Sequence, residues 1–332
     1  NPITLLPLIT LLVMGFVWRV MGKDPRGRNV IVPQYEEPRG LSPGLLSALL
    51  NQGFGWPAVT ATILDLARRG YMRVVWQGNG EYYFLRLKDA DNELRSYEEK
   101  ILKGIFAYPD EDTIKPQRVQ ATFYKVIRQA SDAAFADLKQ AGFLPENPES
   151  RRGHWLIFVL VFGLVTVIGG AIVFGLLGFF SGFVSTIIAF LFAWQMPKTT
   201  KEGAIVTEEI LGLQRYLKVS EKERLAFHDA PTKKPEDFSR FLPVAVALGV
   251  AREWAHQFDS MVVRPPDYVS GITKVGSALQ IVNTIESIQA NAIRSMYQTA
   301  AASSGSSASS GSSGFSGGSS GGGFGGGGGG SW

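Results

Sequence analysis

The sequence predicts a mainly α membrane protein, in which three transmembrane helices carry an α+β winged-helix-like domain and a helical C-terminal region. Residues 155–195 are 41 consecutive positions without a charged side chain, about twice the length that one crossing needs. Residues 3–18 form a shorter uncharged run. Lys and Arg residues stand beside the ends of both runs, as they do on the cytoplasmic side of membrane helices. We therefore expect one crossing followed by a helical hairpin.

The first transmembrane helix is predicted at residues 1–22. Its apolar run continues past Arg19 through Met21 and Gly22, because a long arginine side chain can reach the membrane surface. As a helix, this stretch spans about 30 Å. A signal peptide is the alternative, but its basic residues would precede the apolar run, and here they follow it. The chain starts at Asn1 without a methionine, so we expect a fragment or a processed product.

The transmembrane hairpin is predicted at residues 155–195, with GGAIVFGLLGFFSG in the middle to supply the turn. Trp155 and Trp194 stand at its two ends, where indole rings favour the membrane interface. Gly178 and Gly182 form a small-xxx-small pair of the kind that lets two helices pack closely. A buried hairpin of a soluble protein is the alternative, and the absence of any polar face in the sequence argues against it.

The basic residues beside the three helix ends predict the orientation. All of them can lie in the cytoplasm together if the chain starts outside, residues 19–154 and 196–332 lie inside, and the hairpin turns on the outer side. This arrangement predicts a multi-pass protein of the inner (cell) membrane, with the lipid bilayer as a partner. The flanking residues are Arg19, Lys23, Arg26, Arg28, Arg151, Arg152, Lys198 and Lys201.

Residues 29–150 are predicted to form a cytoplasmic domain that begins with two helices. Ser42 and Pro43 have the residue types of an N-cap and a first helical position, which predicts a short helix over 42–52. A second helix over 56–70 ends at a glycine, the usual C-terminal stop. Its apolar positions at helical spacing are Val59, Ile63, Leu66 and Ala67.

A β-hairpin follows, because YMRVVW and EYYFLRL are rich in aromatic and β-branched residues and are separated by QGNG. Helix, helix and hairpin is the order of a winged helix, with 57–69 in the recognition-helix position and 78–80 at the wing tip. Beyond the hairpin, amphipathic helices are predicted over 93–107 and 117–142. The stretch ILDLARRGYMRV is echoed by FADLKQAGFLPE, either as two related helix-then-strand units or by chance.

Nucleic acid is not the expected partner of this domain. Phosphate binding needs clustered Lys and Arg, since counterion release supplies most of the affinity. Residues 31–150 contain 14 Lys and Arg against 16 Asp and Glu. The recognition-helix position offers only Arg68 and Arg69, beside Asp65. Contact with a protein partner, or a purely structural role, is the better interpretation.

Residues 199–263 are predicted to form a helical cytoplasmic region. A helix over 203–219 leaves the membrane, and Ser220 with Glu223 has capping-box spacing for the next one. The run 238–258 is a further helical segment, in which Pro243 is expected early, where a helix tolerates it. The predicted core positions are Ile210, Leu213, Leu217, Phe241, Val244, Leu248, Trp254 and Phe258.

The end of the chain is expected to be a linker with a possible helix at 264–302 and a disordered Gly/Ser-rich tail at 303–332. Such a tail cannot bury a core and behaves as a flexible coil. Phe315, Phe324 and Trp332 are isolated aromatic residues within it.

These blocks resemble a bacterial predicted membrane protein family, domain-of-unknown-function family 2207. The resemblance covers residues 29–332 through four blocks in order: GLSPGLLSALL with VTATILDLARRGYMRV, EEILGLQRYLKVSEKERLAF, FSRFLPVAVALGVAREWAHQF, and the Gly/Ser tail. It implies an extracytoplasmic β-rich domain ahead of the first helix. The chain departs from the family at Val244, where an aromatic residue is expected after the Leu-Pro pair. The family carries no established catalytic residues to transfer.

No catalytic, cofactor-binding or metal-binding residues can be nominated from the sequence. It has no cysteine and no GxxxxGK[ST] phosphate loop. His154, His228 and His256 form no HExxH or HxxxH pair and are expected to be ordinary surface or interface histidines. Neighbouring carboxylates are expected to form solvated faces, since adjacent helical residues diverge by about 100°. These carboxylates are Glu98 with Glu99, Asp110 to Asp112, and Glu208 with Glu209.

The pattern therefore favours a membrane-anchored scaffold or signalling module with an unidentified protein partner. Two alternatives stay open. One is a membrane-tethered winged-helix transcriptional regulator, and the other is an accessory subunit of an envelope enzyme or transporter. No catalytic constellation, cofactor or small-molecule ligand is identifiable, so an enzyme is not expected.

Overall fold

The computed structural model describes residues 2–290 apart from 79–80, 109, 219–233, 260, 262 and 272–276. It consists of an apolar helical bundle joined to a folded part that is rich in helices and contains a small sheet. The predicted tail at 303–332, the capping box of Ser220 and Glu223, and His228 lie outside the described residues.

The first helical segment begins with a 3-10 turn, Pro2–Leu5, continues as α1, Leu6–Val17, and ends as a π-helical turn, Trp18–Gly22. Together, Ile3–Gly22 is long and apolar enough to cross a membrane by length and composition. Most of its large side chains are exposed, and Thr10 and Met14 are the buried residues of α1. The predicted helix at 1–22 is therefore present, with an irregular start and end.

The second apolar segment, α6, Pro148–Trp194, is also long and apolar enough to cross a membrane. It is interrupted at Gly175, whose φ of 64° breaks the helix in the middle of the predicted turn. Its two halves pack against each other as a hairpin. A side chain added at Gly178 or Gly182 would collide with the backbone carbonyl of Gly170 or Thr166. The predicted close packing at Gly178 and Gly182 is confirmed.

The first segment lies beside the second half of α6 and runs in the same direction. The Ser181 hydroxyl donates a hydrogen bond to the carbonyl of Ile3, and at the other end Met196 touches Gly22. Arg151, at the start of α6, donates to the carbonyl of Met21 at 2.7 Å. The three helix ends that carry the basic residues therefore lie on one side of the bundle, where the folded part is attached.

The folded part contains the predicted helices and hairpin. Ser42 takes the N-cap position of α2, but its hydroxyl bonds to that of Tyr97 at 2.6 Å instead of capping the helix. The expected side-chain cap at Ser42 is thus wrong, because the buried tyrosine takes the hydroxyl. The elements are α2, Pro43–Asn51; α3, Trp56–Arg68; β1, Met72–Gly78; β2, Glu81–Arg86; α4, Ser96–Ile105; β3, Thr113–Ile114; and α5, Pro116–Gln140.

The echoed segments share a helix ending and not a strand. Gly70 and Gly142 both adopt positive φ after α3 and α5. The next amide, of Tyr71 or Phe143, bonds back to the carbonyl of a leucine five residues earlier. A strand follows only the first of them, whereas the second leads into α6. The interpretation as two helix-then-strand units is therefore wrong.

The sheet has four strands in the order β3-β2-β1-β4, where β4 is Val269–Ser270. β1 and β2 form the predicted antiparallel hairpin, with Val74 opposite Phe84. β4 joins β1 in parallel, with Val74 opposite Val269. The two outer strands were not predicted, because two-residue strands leave no periodic pattern to recognise.

The C-terminal helices are α7, Lys201–Lys218; α8, Pro235–Ala247; α9, Ala251–His256; and α10, residues 278–290. A break at Gly249, whose φ is 69°, separates α8 from α9. Pro243 lies inside α8 and not near its start as expected. A proline there leaves the carbonyl of Ser239 without its helical donor. The Tyr268 hydroxyl donates to that carbonyl at 2.8 Å and replaces the missing amide.

One cluster of buried side chains runs through the folded part and joins the two predicted cytoplasmic regions. Helix α3 packs on both α2 and α8, and all eight predicted core positions of α7, α8 and the segment after them are buried. The boundaries at 29–150 and 199–263 and the winged-helix identity stay predictions. The possible helix in 264–302 corresponds to α10.

Candidate functional site

An apolar cleft opens between α3, the sheet and α10. It has a volume of about 70 Å³. Helix α3 contributes Trp56 and Ile63 to one wall, β2 contributes Phe84, and α10 contributes Ile285 and Ile288. Nearly all of the surface that lines it is carbon, so the cleft suits an aliphatic or aromatic group and offers little to a polar ligand.

Tyr82, on β2, also lines the cleft, and it is 7% exposed. Burial raises the pKa of its hydroxyl well above the ordinary value, so this group stays neutral at physiological pH. Thr60 and Gln289 are the other uncharged polar side chains of the lining with hydrogen-bonding oxygens. Among the described residues that line the cleft, none therefore carries a charge that could bind or activate a substrate.

The other side of α3 is fixed by a buried polar cluster. Arg69 donates to Glu98 Oε2 at 2.6 Å and lies 3.1 Å from Asp65 Oδ2. The Tyr97 hydroxyl donates to Glu98 Oε1 at 3.1 Å. Asp65 and Glu98 are almost completely buried, so their charges depend on these contacts. The cluster holds α3 against α4 and thereby sets the position of the cleft wall.

The ionisation of this cluster follows from its burial. Burial raises the pKa of Tyr97 well above its usual value, and the nearby Glu98 carboxylate raises it further. Burial alone would lower the pKa of Arg69, but the hydrogen bond and charge of Glu98 outweigh it and leave the pKa raised. The guanidinium is therefore charged and the phenol neutral, which is a structural arrangement and does not provide a proton donor near physiological pH.

The neighbouring carboxylates do not all form solvated faces, and that expectation is wrong at Glu98, Glu208 and Glu209. Glu98 is 1% exposed, whereas its neighbour Glu99 is exposed and pairs with Lys103 on the surface. Glu208 accepts the backbone amides of Arg28 and Asn29, both at 2.8 Å. Glu98 and Glu99 therefore diverge as expected, whereas Glu208 and Glu209 both contact Arg28.

Glu208 and Glu209 fasten the segment that follows the first membrane segment onto α7. Glu209 lies 3.3 Å from Arg28 and 3.1 Å from Arg39, and Thr199, just before α7, donates its amide to Asp24 at 2.7 Å. The contacts attach the folded part directly to the bundle. In the third group of carboxylates, the side chain of Asp112 pairs with the guanidinium of Arg86. The main-chain carbonyl of Asp112 also accepts a hydrogen bond from the backbone amide of Arg86.

The described histidines are separate, as expected. His154 is exposed at the start of α6, and His256 lies 3.0 Å from Asp259 with both side chains exposed. Within the residues that the structure describes, no group of three or more His, Asp or Glu side chains could hold a metal ion.

Helix α3 is largely covered, which bears on the recognition-helix hypothesis. Of its thirteen residues, only Pro57 and Arg68 are exposed. Arg68 is engaged with Asp65 at 2.7 Å. A recognition helix must present one face to the major groove, and here α2, α8 and the sheet occupy the faces of α3.

Sequence reasoning missed the cleft because its walls come from distant segments. Val59 and Ile63 were recognised as apolar positions of a helix, but Ile285 and Ile288 belong to the region that was expected to be mainly a linker. The apolar spacing of Ile281, Ile285 and Ile288 was the signal that could have revealed this wall.

The comparisons with known proteins identify a family by its sequence model. No curated protein and no solved structure matches the chain significantly. The family model "Predicted membrane protein (DUF2207) C-terminal domain" matches residues 32–258, more than half of the chain. It extends from the segment fastened to α7 through the hairpin to the end of α9. The chain therefore belongs to the DUF2207 family of predicted membrane proteins.

Proposed function

We propose that the chain is a membrane-anchored protein-binding module, with three crossing helices and its folded part in the cytoplasm. The observation that carries the binding role is the apolar cleft beside α3. Its volume of about 70 Å³ is far below the roughly 300–1,000 Å³ of small-molecule sites. A pocket of this size suits one apolar side chain of a partner protein. A few buried side chains of this kind supply most of the binding free energy of a protein interface.

The exposed surface of the bundle supports the membrane role. Both apolar segments leave most large side chains exposed, with Ile172 at 79% and Leu176 at 76%. Exposed apolar surface on this scale is unfavourable in water and favourable in lipid. The two halves of α6 have the length for two crossings, and the shared side of the basic ends supports the cytoplasmic placement.

The binding role can be tested by placing a photocrosslinking amino acid at Ile63 in the full chain, in its native membrane. The matched control is the same amino acid at Lys103, an exposed position of α4 away from the cleft. We expect one intermolecular adduct of defined mass from position 63 and none from 103. Ile288→Asp should abolish this adduct, because it places a charge in the opposite wall.

Three outcomes would contradict the binding role. Equal adducts from both positions would show nonspecific proximity, an adduct within the same chain would show that its own residues fill the cleft, and no adduct from position 63 would show an unoccupied cleft. Recovery of the chain in the soluble fraction after lysis would contradict the membrane role independently.

The two alternatives have less support. A winged-helix transcriptional regulator fits the order of α2, α3, β1 and β2, but the coverage of α3 and the negative charge of residues 31–150 do not favour it. An accessory subunit of an envelope enzyme or transporter is a special case of protein binding. The identity of the crosslinked partner would separate it from a signalling scaffold.

A further inference from the structure

A second groove lies at the boundary between the bundle and the folded part. It runs between α5 and the start of α6 and has a volume of about 510 Å³, within the range of sites for small organic groups. Arg128 and Asp132 of α5 line one side, and His154 and Ile157 of α6 line the other. Because α6 passes from this groove into its uncharged stretch, the groove would meet the membrane surface.

The groove has one apolar end. Ile157 is 64% exposed, and the exposed Leu160 and Val161 continue the apolar surface along α6. Tyr124 and Ile127 of α5 line the groove with it. A ligand that bound here could therefore leave a hydrocarbon chain on α6 without passing through water.

The other end contains one arginine, Arg128, and two carboxylates, Asp132 and Glu149. Glu149 accepts hydrogen bonds from a backbone amide and a hydroxyl, both at 2.8 Å, and no ion pair joins it to Arg128. Arg128 and Asp132 are four residues apart on α5, a spacing that normally lets such side chains pair. No ion pair joins them, and within the described part of the chain Arg128 has no ionic or hydrogen-bond partner. Asp132 accepts a hydrogen bond at 3.2 Å from the amide of Asn147, which carries no charge.

We propose that this groove binds a phospholipid with a primary ammonium in its headgroup, phosphatidylethanolamine. Arg128 receives the phosphate, for which a planar guanidinium is the best-suited side chain, and His154 adds a donor from α6. The ammonium lies against Asp132, and an acyl chain follows Ile157 into the bilayer. The proposal rests on the membrane crossing proposed above and goes beyond the protein-binding role.

The test uses the full chain in nanodiscs of equal parts phosphatidylethanolamine, phosphatidylglycerol and phosphatidylcholine, with the retained lipids counted by native mass spectrometry. We expect phosphatidylethanolamine to be retained roughly tenfold over phosphatidylcholine, the ratio that one charge-assisted hydrogen bond supplies. Arg128→Gln should remove retention of all three lipids, and Asp132→Asn should equalise phosphatidylethanolamine and phosphatidylcholine.

The matched control is Lys125→Gln, which removes the same charge from an exposed position of α5 outside the groove. It should retain the wild-type preference. Arg128 is exposed, so thermal unfolding of its variant should match that of the control and exclude misfolding.

Equal retention of the three lipids by the wild type, a preference for phosphatidylglycerol, or identical behaviour of the Arg128 and Lys125 variants would overturn the proposal. A chain that does not enter nanodiscs at all would overturn the membrane crossing instead.

Discussion

The bundle and the folded part bury opposite kinds of side chain. The interior of α6 is lined by small residues such as Gly163, Gly170 and Ala189, while its large residues point outwards. The folded part buries Trp254 and Phe135 completely. Water drives large apolar groups inside a fold, whereas lipid gives no such advantage and leaves close packing to hold helices together. The difference indicates that the two regions are built for different solvents.

Their buried polar groups differ in the same way. In α6 the hydroxyls of Thr166 and Ser185 donate to carbonyls of their own helix, four residues back. The folded part instead buries two carboxylates that share Arg69 at the end of α3: Asp65 lies four residues before it, and Glu98 comes from α4. These two hydroxyls are thus satisfied within their own helix, whereas Ser181 bonds to Ile3 of the first segment. In the folded part, the Arg69–Glu98 pair connects two separate elements. Substitutions in each region can test these contacts through their effect on the stability of the protein.

The largest effect is expected for Glu98→Ala. It removes the acceptor of Arg69 and Tyr97 and leaves a largely buried guanidinium with Asp65 alone. We expect a loss of about 3 kcal/mol in the free energy of unfolding, at the low end for a broken buried pair because Asp65 remains. Glu99→Ala is the matched control, since Glu99 is exposed, and it should leave the free energy of unfolding close to that of the wild type. Chemical denaturation in detergent measures both, and equal losses would refute a structural role for the cluster.

An intermediate effect is expected for Gly178→Ala. Its methyl group would collide with the backbone of Gly170, which cannot move aside as a side chain can. Overpacking of this kind costs about 1–3 kcal/mol. Gly169→Ala is the control, because the same methyl group there meets no atom within 4 Å. The thermal unfolding temperature in detergent should decrease for Gly178→Ala only. An equal decrease for Gly169→Ala would contradict the close packing of the hairpin.

The smallest effect is expected for Tyr268→Phe. The variant leaves the carbonyl of Ser239 without a donor, at a cost of about 1 kcal/mol. In a Pro243→Ala background the backbone amide is restored, so the same change should cost close to nothing. Tyr82→Phe serves as a control, because no described hydrogen bond involves its hydroxyl. Chemical denaturation of the wild type, the two single variants and the double variant measures the coupling between Tyr268 and Pro243. Additive losses in the free energy of unfolding would show that the Tyr268 hydroxyl does not replace the missing amide.

The elements that could be predicted from sequence are those with a long pattern. The uncharged run of α6, the apolar spacing of α3 and α7, and the hairpin around residues 79–80 each repeat one signal over many positions. The turn of α6 was predicted in its glycine-rich centre and occurs at Gly175. The spacing of residues along the chain was sufficient to predict these elements, because interactions between neighbouring residues largely determine whether a helix or a hairpin forms.

Features that depend on distant partners could not be predicted. Glu98 resembles Glu99 in sequence, and only the approach of Arg69 and Tyr97 distinguishes them. Strand β4 has two residues, and its existence depends on the free edge of β1. The cleft requires α10 to fold back over α3. None of these contacts produces a periodic pattern in the sequence, because most of them join residues that are far apart along the chain.

The place of β4 in the sheet has a consequence for the order in which this protein is made. Between β1 and β4 the chain contains the whole of α6, so both of its apolar halves are synthesised before the sheet can be completed. Until residue 270 emerges, the outer edge of β1 lacks its β4 partner. Completion of the sheet therefore waits for the synthesis of α6 and of the segment after it, and a chain truncated after α5 would expose that edge to other molecules.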